Sequence, residues 1–344
     1  MLGFKSTIPL LHHSSTPIFC YVGASGSSAT KQMGLFQQAA TQMKLVIAGS
    51  TGFIGSPLCD QLIEQGHSLI LLSRSLSSGT TPPNKKWITW NPPSGGAWEQ
   101  AIEGTDGIIS LAGEPIAARR WTETQKRRIR SSRIDATRAL VAAIAKAKQK
   151  PRFLINGSAV GYYGPRGDET ITEESSPGTD FLSRTCVEWE EEAKKAEGYG
   201  VRVVRLRTGI VLGKNGGALA KMVPPFKFFV GGPLGSGTQW MSWIHLDDEI
   251  GLIVFLVNHP TASGPVNATA PSPVTMKEFC KTLGQVLHRP SWAPVPAFAL
   301  RLLLGEMAEM LLAGQRVLPA KAQGLGYKFK YSDLRQALQA CLQQ

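Results

Sequence analysis

"MKLVIAGSTGFIGSPLCDQLIEQGHSLILLSRS", Met43–Ser75, decides the fold. It opens on a short apolar run and passes a loop with glycines at 49, 52 and 55. An amphipathic stretch follows, stopped by Gly66, and then a second apolar run. A brief β-branched run bounded by glycine predicts a buried strand, here 44–49. In "PLCDQLIEQG" (57–66), Leu58, Leu62 and Ile63 recur at helical spacing, which predicts a helix. "SLILLSR" (68–74) predicts the next strand. Strand, glycine turn, helix, strand is one parallel βαβ unit.

The rhythm continues. Strands are predicted at 86–90, 107–113, 152–160 and 201–213, and helices at about 122–147 and 181–198. This predicts an α/β fold: a Rossmann-like doubly wound parallel sheet with helices on both faces. The Rossmann domain is expected over 43–213. After 213, Pro and Gly become frequent ("VPPFKFFVGGPLGSG"), and a smaller C-terminal α+β substrate-side region is expected over 214–344.

The glycine loop carries chemistry. Gly49 permits the tight turn, Gly52 lets the backbone approach a pyrophosphate, and Gly55 lets the helix close on the sheet. With Ser50, Thr51, Phe53 and Ile54 this loop would cradle a dinucleotide at a helix N-terminus. Sites for unphosphorylated NAD carry an acidic residue at the end of the second strand. Ser73 and Arg74 stand there instead. A carboxylate would repel a 2′-phosphate, whereas a hydroxyl and a guanidinium would bind one. The expected cofactor is therefore NADP(H).

Composition narrows the classes. The chain has 344 residues and a net charge of +12. Its basic run "RRWTETQKRRIRSSR" (119–133) reads as a solvated helix face; nucleic acid is the lesser reading, because no aromatic platform accompanies it. Cys20, Cys59, Cys186, Cys280 and Cys341 are scattered, which suggests reduced thiols, and no metal-ligand spacing occurs. Apolar stretches such as "LIVFLV" (252–257) fall far short of the ~20 residues of a membrane span. Residues 1–42 contain no Asp or Glu. They read as a disordered extension ahead of Met43 or as a transit peptide of chloroplast type, which would direct the chain to the stroma; without one, the expected place is the cytoplasm.

G-x-x-G-x-x-G after the first strand resembles the extended short-chain dehydrogenases/reductases. Further blocks, "LAGEPIAARRWTETQKRRIRSSRIDAT" (111–137), "NGSAVGYYG" (156–164), "GGPLGSGTQWMSWIHLDD" (231–248) and "LLAGQRVLPAKAQGLGYKFKY" (311–331), resemble its atypical "epimerase family" branch. That branch has a C-terminal domain of unknown function, here about 265–342. Its members resemble SulA-like division inhibitors, and its plant members chloroplast-division factors, so a division-machinery partner is implied. By this resemblance, Leu111, Ala112 and Gly113 would line the adenosine-ribose and pyrophosphate side. Arg133 would reach the cofactor, Glu114 would lie nearby, and Val211 in "TGIV" would pass the nicotinamide. Ser158 matches the serine that hydrogen-bonds a substrate carbonyl.

The Tyr-x-x-x-Lys pair of ordinary members is missing. No tyrosine of this chain has lysine four residues on. The helix that should carry the pair has Phe181, Thr185, Cys186 and Glu190 where it could fall. Tyr162 and Tyr163 are substitute proton donors, although packing at a "YG" corner is the plainer reading. Glu114 could serve as acid/base or as a cap. Cys186 reads as buried and structural, His245 as a satisfied residue before a helix capped by Asp247 or Asp248, and Trp240 and Trp243 as core. Two functions compete: an NADP(H)-dependent oxidoreductase or epimerase on an unknown small molecule, and an NADPH-binding regulatory protein.

Overall fold

The computed structural model describes residues 42–74, 83–92, 94–214 and 216–342. The expected extension over 1–42 lies outside the described residues except for Gln42. From β1 (Lys44–Ala48) the chain runs through α1 (Gly55–Glu64), β2 (Ser68–Ser73), β3 (Lys85–Thr89), β4 (Gly107–Ser110), α2 (Glu123–Lys146) and β5 (Phe153–Ala159). A 3-10 turn at Val160–Tyr163 and the short β6 (Thr170–Ile171) precede α3 (Phe181–Lys194) and β7 (Arg202–Thr208). Then come β8 (Ile210–Leu212), α4 (Leu219–Lys227), β9 (Trp240–Met241), β10 (Trp243–His245), α5 (Leu246–Asn258) and β11 (Gly264–Ala268). The chain closes with β12 (Val274–Thr275), α6 (Met276–Leu287), α7 (Ala297–Leu304), α8 (Met307–Leu312), β13 (Arg316–Val317), α9 (Ala320–Gly324) and α10 (Leu334–Leu342).

Seven strands form one parallel sheet in the order β11-β7-β5-β4-β1-β2-β3. Connections leave β1 in opposite directions, so the topological switch lies between β1 and β4. β1 shows why its residues are uniformly apolar. Leu45 and Ile47 enter the core formed with Leu58 and Leu62 of α1 and Leu252 and Ile253 of α5. Val46 and Ala48 enter the opposite core, with Leu140 and Ile144 of α2 and Trp98. A strand covered on both faces needs side chains worth burying on both, about 1.5–3 kcal/mol for each large one.

The run predicted as one strand over 201–213 divides. β7 stays in the sheet, and β8 leaves it at Gly209 to pair in parallel with β10. The vacated edge is filled by β11, from beyond the boundary expected at 213. No break falls at that boundary: residues from Gln42 onward cluster as one unit. A third core, built on Phe279 and Leu283 of α6 with Leu338 of α10, lies in the C-terminal region. Asp248 at the start of α5 ties that region down, accepting the backbone N–H of Lys330 and of Tyr331 at 2.7 and 2.8 Å. Among the described residues no helix is long and apolar enough to cross a membrane.

The basic run begins α2. Thr122 caps the helix by accepting the N–H of Gln125 at 3.2 Å. Two of its cations are engaged within the protein, Lys126 with Glu123 and Glu306 and Arg130 with Glu188; further along α2, Arg138 meets Glu192.

Candidate functional site

The carboxyl ends of β1 and β4 flank the switch, where open α/β sheets bind ligands. Gly49 sits there at φ +87°, and a Cβ on it would lie 2.7 Å from the carbonyl carbon of Leu111. A Cβ on Gly55 would lie 2.1 Å from the Gly49 oxygen. The loop is thus pressed onto the end of β4, and only glycine fits at either position. Gly52 N–H donates to the Gly49 oxygen at 3.1 Å and closes the turn. α1 begins without a capping side chain or an acidic residue in its first turn. Its positive dipole end is left for an anion. The hydroxyls of Ser50 and Ser110 are buried beside this loop without a protein partner, a deficit that a bound group could remove. Thr51 is exposed.

Phe53 and Ile54 sit differently from the glycines. The Phe53 ring packs against Gly213, Gly216 and Gly217, and Ile54 packs into the core beneath α1. Ser73 is half-buried at the end of β2, and Arg74 is exposed immediately after it. The Leu111 N–H donates to the Ala48 oxygen at 2.8 Å, carrying the β1–β4 ladder one residue further. Ala112 and Gly113 follow. Glu114 is held by its backbone N–H, which donates to Ser132 Oγ at 2.9 Å. Arg133 closes over Gly113: a Cβ there would lie 3.1 Å from the guanidinium carbon. Burial pulls the Arg133 guanidinium below the usual arginine range, against the attraction of Cys186 and Glu114. It donates to the Ile129 oxygen at 2.8 Å and lies 5.3 Å from the centre of the Trp189 ring. No carboxylate pairs with it among the described residues. Val211 belongs to β8, half-buried and opposite Ile244 of β10.

A buried polar cluster lies at the end of β5. Ser158 Oγ donates to Glu190 Oε1 at 2.7 Å. Arg207 grips the same carboxylate with two parallel bonds, Nε to Oε1 at 2.8 Å and Nη2 to Oε2 at 2.9 Å. Burial works against the Arg207 cation, but Glu190 more than offsets this and holds it above its usual range. Arg207 Nη1 also donates to the Tyr163 hydroxyl at 2.9 Å and to the Glu173 carbonyl at 3.2 Å. The Tyr163 hydroxyl donates to Asn267 Oδ1 at 2.6 Å. The Tyr162 ring lies against the Arg207 guanidinium, 3.5 Å from its centre.

Each of the candidates named from sequence finds a place. Tyr163 is fully buried, and burial pushes its phenol up to about 12, so it serves the cluster. Tyr162 is half-buried. The Ser158 proton is engaged by Glu190, so the hydroxyl presents a lone pair rather than the donor expected for a carbonyl. Cys186 is buried beside Ser158 and the Ala159 backbone, and burial pushes its thiol up to about 12, which keeps it protonated. Phe181 stacks edge-on with Trp121, and Thr185 bonds back to the Phe181 oxygen. The expected capping at α5 needs correction. His245 itself is the cap, its Nδ1 accepting the Asp247 N–H at 3.0 Å while its ring stacks on Tyr331. Asp248 is taken by the backbone of 330–331, and Asp247 by Lys330 at 2.8 Å. Trp243 is core as expected, whereas Trp240 is only partly buried and donates to Asp168 at 2.7 Å.

The Glu190–Arg207 pair is the part that sequence reasoning missed. Its signal was the arginines at 202, 205 and 207 inside the otherwise apolar run "VRVVRLRTG". A charge in a buried strand requires a partner.

Known proteins place the chain. The model of the NAD dependent epimerase/dehydratase family matches residues 45–268, and a domain of unknown function, DUF1731, matches 295–341. The chain is 44% identical to the epimerase family protein SDR39U1 homolog, chloroplastic, of Arabidopsis thaliana, over 89% of this chain and 88% of that one. It is 46% identical to the epimerase family protein YfhF of Bacillus subtilis, over 86% and 97%. Among solved structures, the human epimerase family protein SDR39U1 with NADPH superposes with a TM-score of 0.78 at 34% identity, over 88% and 99%. With these relatives spanning nearly the whole of the described region, the chain belongs to the NAD dependent epimerase/dehydratase family and carries its DUF1731 segment at the C-terminus.

Proposed function

We propose that this chain binds NADP(H) across the gap between β1 and β4 and acts as an oxidoreductase or epimerase of the atypical extended short-chain type, on a small carbonyl or nucleotide-sugar-like molecule. The observation that carries the binding is Arg133, a desolvated cation over Gly113 without a paired carboxylate. The Gly49–Gly55 backbone and the start of α1 would hold the pyrophosphate, with the Ser50 hydroxyl turned to it. Leu111–Gly113 would line the adenosine ribose, and Val211 would flank the nicotinamide. Ser73 and Arg74 would take the 2′-phosphate. The human relative solved with NADPH supports the phosphorylated form. When bound, the nicotinamide supplies or accepts a hydride. Ser158, fixed by Glu190, accepts a hydrogen bond from the substrate hydroxyl, and Tyr162 or Glu114 moves the proton.

Arg74→Asp separates the two cofactors. NADPH should bind about 10–100-fold more weakly to the variant, since one charge-assisted contact is lost and a like charge is gained, while NADH affinity holds. A preference for NADH in the natural chain, or indifference to both, would sink the assignment. Proton transfer is tested by stopped-flow oxidation of bound NADPH against a panel of carbonyl compounds. Loss of the donor should slow turnover about 100-fold at unchanged NADPH affinity. If Tyr162→Phe is the slow variant, the phenol is the donor; if Glu114→Gln is, the carboxyl is.

A second reading is an NADPH-binding regulatory protein acting in plastid or cell division. What favours it is α3, whose site face carries Cys186 and Glu190 in place of a tyrosine–lysine pair. Tight NADPH binding with no turnover on any compound would decide for it. The chloroplast stroma is the proposed compartment, supported by the Arabidopsis relative and the acid-free residues 1–42.

A further inference from the structure

The outer edge of the sheet carries a second group of cations, apart from the cofactor crevice. β7 stands three strands from β1, about 14 Å across the sheet. On one face of β7, Arg207 is engaged by Glu190, but Arg205 is not. Its nearest carboxylate oxygen, Glu190 Oε2, lies 3.8 Å from Nη1 and is already held by Arg207 Nη2 at 2.9 Å. Arg205 Nε is buried without a protein partner. Lys321, in α9, comes to the same place. Its ammonium donates to the Ser263 carbonyl and has no carboxylate within ion-pair distance among the described residues. Glu173, close by, turns its oxygens to the backbone N–H groups of Asn267 and Lys321. Burial pulls the Lys321 ammonium below the usual lysine range; Glu173 opposes that pull and Arg205 adds to it.

The two cations converge on Gly264, the first residue of β11. A Cβ there would lie 3.3 Å from Lys321 Nζ and 3.5 Å from Arg205 Nη2. A single point thus sits against both nitrogens, and glycine, at φ +76°, puts no side chain into it. Nη2 shares its side of the guanidinium with the unpartnered Nε. That is the side with which Arg207 grips Glu190, so Arg205 offers the same two-pronged grip to an occupant. Arg205, Lys321 and Gly264 are all partly buried, where like charges repel more strongly than in water. We propose that a phosphate group occupies this point, bridging Lys321 and Arg205 over Gly264. Two facing cations match a phosphate, with its charge of about −1.5 to −2 and three acceptor oxygens, better than a carboxylate with one charge. Two residues before Arg207, about 7 Å along β7, the site adjoins the Ser158 cluster without sharing its hydrogen bonds.

Calorimetric titration of the full chain with inorganic phosphate tests this, at constant ionic strength and with saturating NADPH to take the α1 end. Wild type should bind one phosphate with a dissociation constant of about 1 mM, as two charge-assisted contacts would give. Lys321→Gln should weaken phosphate about 10–100-fold, and NADPH affinity should hold in the variant. Lys321→Arg should keep phosphate affinity within about threefold. If NADPH failed to bind, the loss in Lys321→Gln would still report this site alone. Glycerol phosphate separates the sources. An ester that binds about tenfold tighter than the free ion identifies a phosphorylated metabolite as the ligand, and equal affinities identify inorganic phosphate. Acetate should bind at least about tenfold more weakly. Silence up to about 20 mM phosphate, some twentyfold above the expected constant, would overturn the proposal. So would acetate binding as well as phosphate, or a Lys321→Gln variant that binds phosphate like wild type.

Discussion

Arg207→Met is expected to cost about 3–5 kcal/mol of unfolding free energy, the penalty for leaving one member of a buried ion pair uncompensated. Both charges of the pair are almost wholly removed from water, each side chain 3% exposed. Methionine fills much of the arginine's volume, so the loss reports charge rather than a cavity. It would leave the Glu190 carboxylate with the Ser158 hydroxyl and, at 3.8 Å, the more distant Arg205, remove a donor from the Tyr163 hydroxyl and free the Glu173 carbonyl. Urea unfolding at unchanged m-value measures it. Combining Arg207→Met with Glu190→Leu should recover part of the loss, because neither fully buried charge of the pair then remains, while Arg205, 16% exposed, loses its contact to Glu190. A single substitution costing under about 1 kcal/mol would show that water reaches the pair and that it does not organise the site. The effect reaches the C-terminal segment as well. Asn267, bonded to Tyr163, donates to the Leu318 oxygen at 2.9 Å, and Glu173 accepts the Lys321 N–H at 3.2 Å from both oxygens. Hydrogen exchange at 318–322 should therefore quicken in the single variant.

How much of this could be read in advance follows from how local each signal is. β1, the glycine loop, α1 and β2 were legible because one contiguous stretch carries them: an apolar run, three glycines at fixed spacing and a Gly66 stop. The cofactor half of the site inherits that legibility. β11 was not, because "GPVNA" opens on glycine and proline and gains its place only when β7 leaves an edge open. β8 was merged with β7 since apolar character runs through Gly209 without a break; the turn there is set by Ser242, whose oxygen accepts the Ile210 N–H at 2.8 Å. The polar cluster around Ser158 is assembled from β5, α3, β7 and β11. Glu190 looked like part of an acidic helix face because its neighbours at 188, 191 and 192 are also Glu. Only the packing of α3 on the sheet singles out which of them turns inward to Arg207. His245 was read in the right place and the wrong role: its ring nitrogen, not the next aspartate, caps α5.

Glu249→Gln should stabilise the protein at alkaline pH and do little at acid pH. Glu249 lies in the first turn of α5 with no exposure. Its Oε1 accepts the Thr208 hydroxyl at 2.8 Å, and its Oε2 has no partner. Burial pushes its carboxyl up to about 8 from an ordinary 4.5, against the small lowering from Thr208. The helix N-terminus favours the carboxylate by only about 0.3–1 kcal/mol, too little to reverse a shift of that size at 1.36 kcal/mol per pH unit. The folded state therefore holds the proton more tightly than the unfolded chain. Its contribution is intact below about pH 4.5, falls as pH rises through the interval, and is gone above about pH 8. Over that window the wild type should lose about 3–5 kcal/mol relative to the glutamine variant, an order-of-magnitude figure for a fully buried group. Glutamine keeps the acceptor for Thr208 and places an amide where the unpartnered oxygen was, so the two proteins should unfold alike near pH 5. Urea titrations from about pH 5 to about pH 9 would show diverging stabilities. Parallel curves would mean that the carboxylate is ionised in the folded state, with solvent reaching it beneath Thr208, and the closed packing of α5 on the end of β7 would have to be given up.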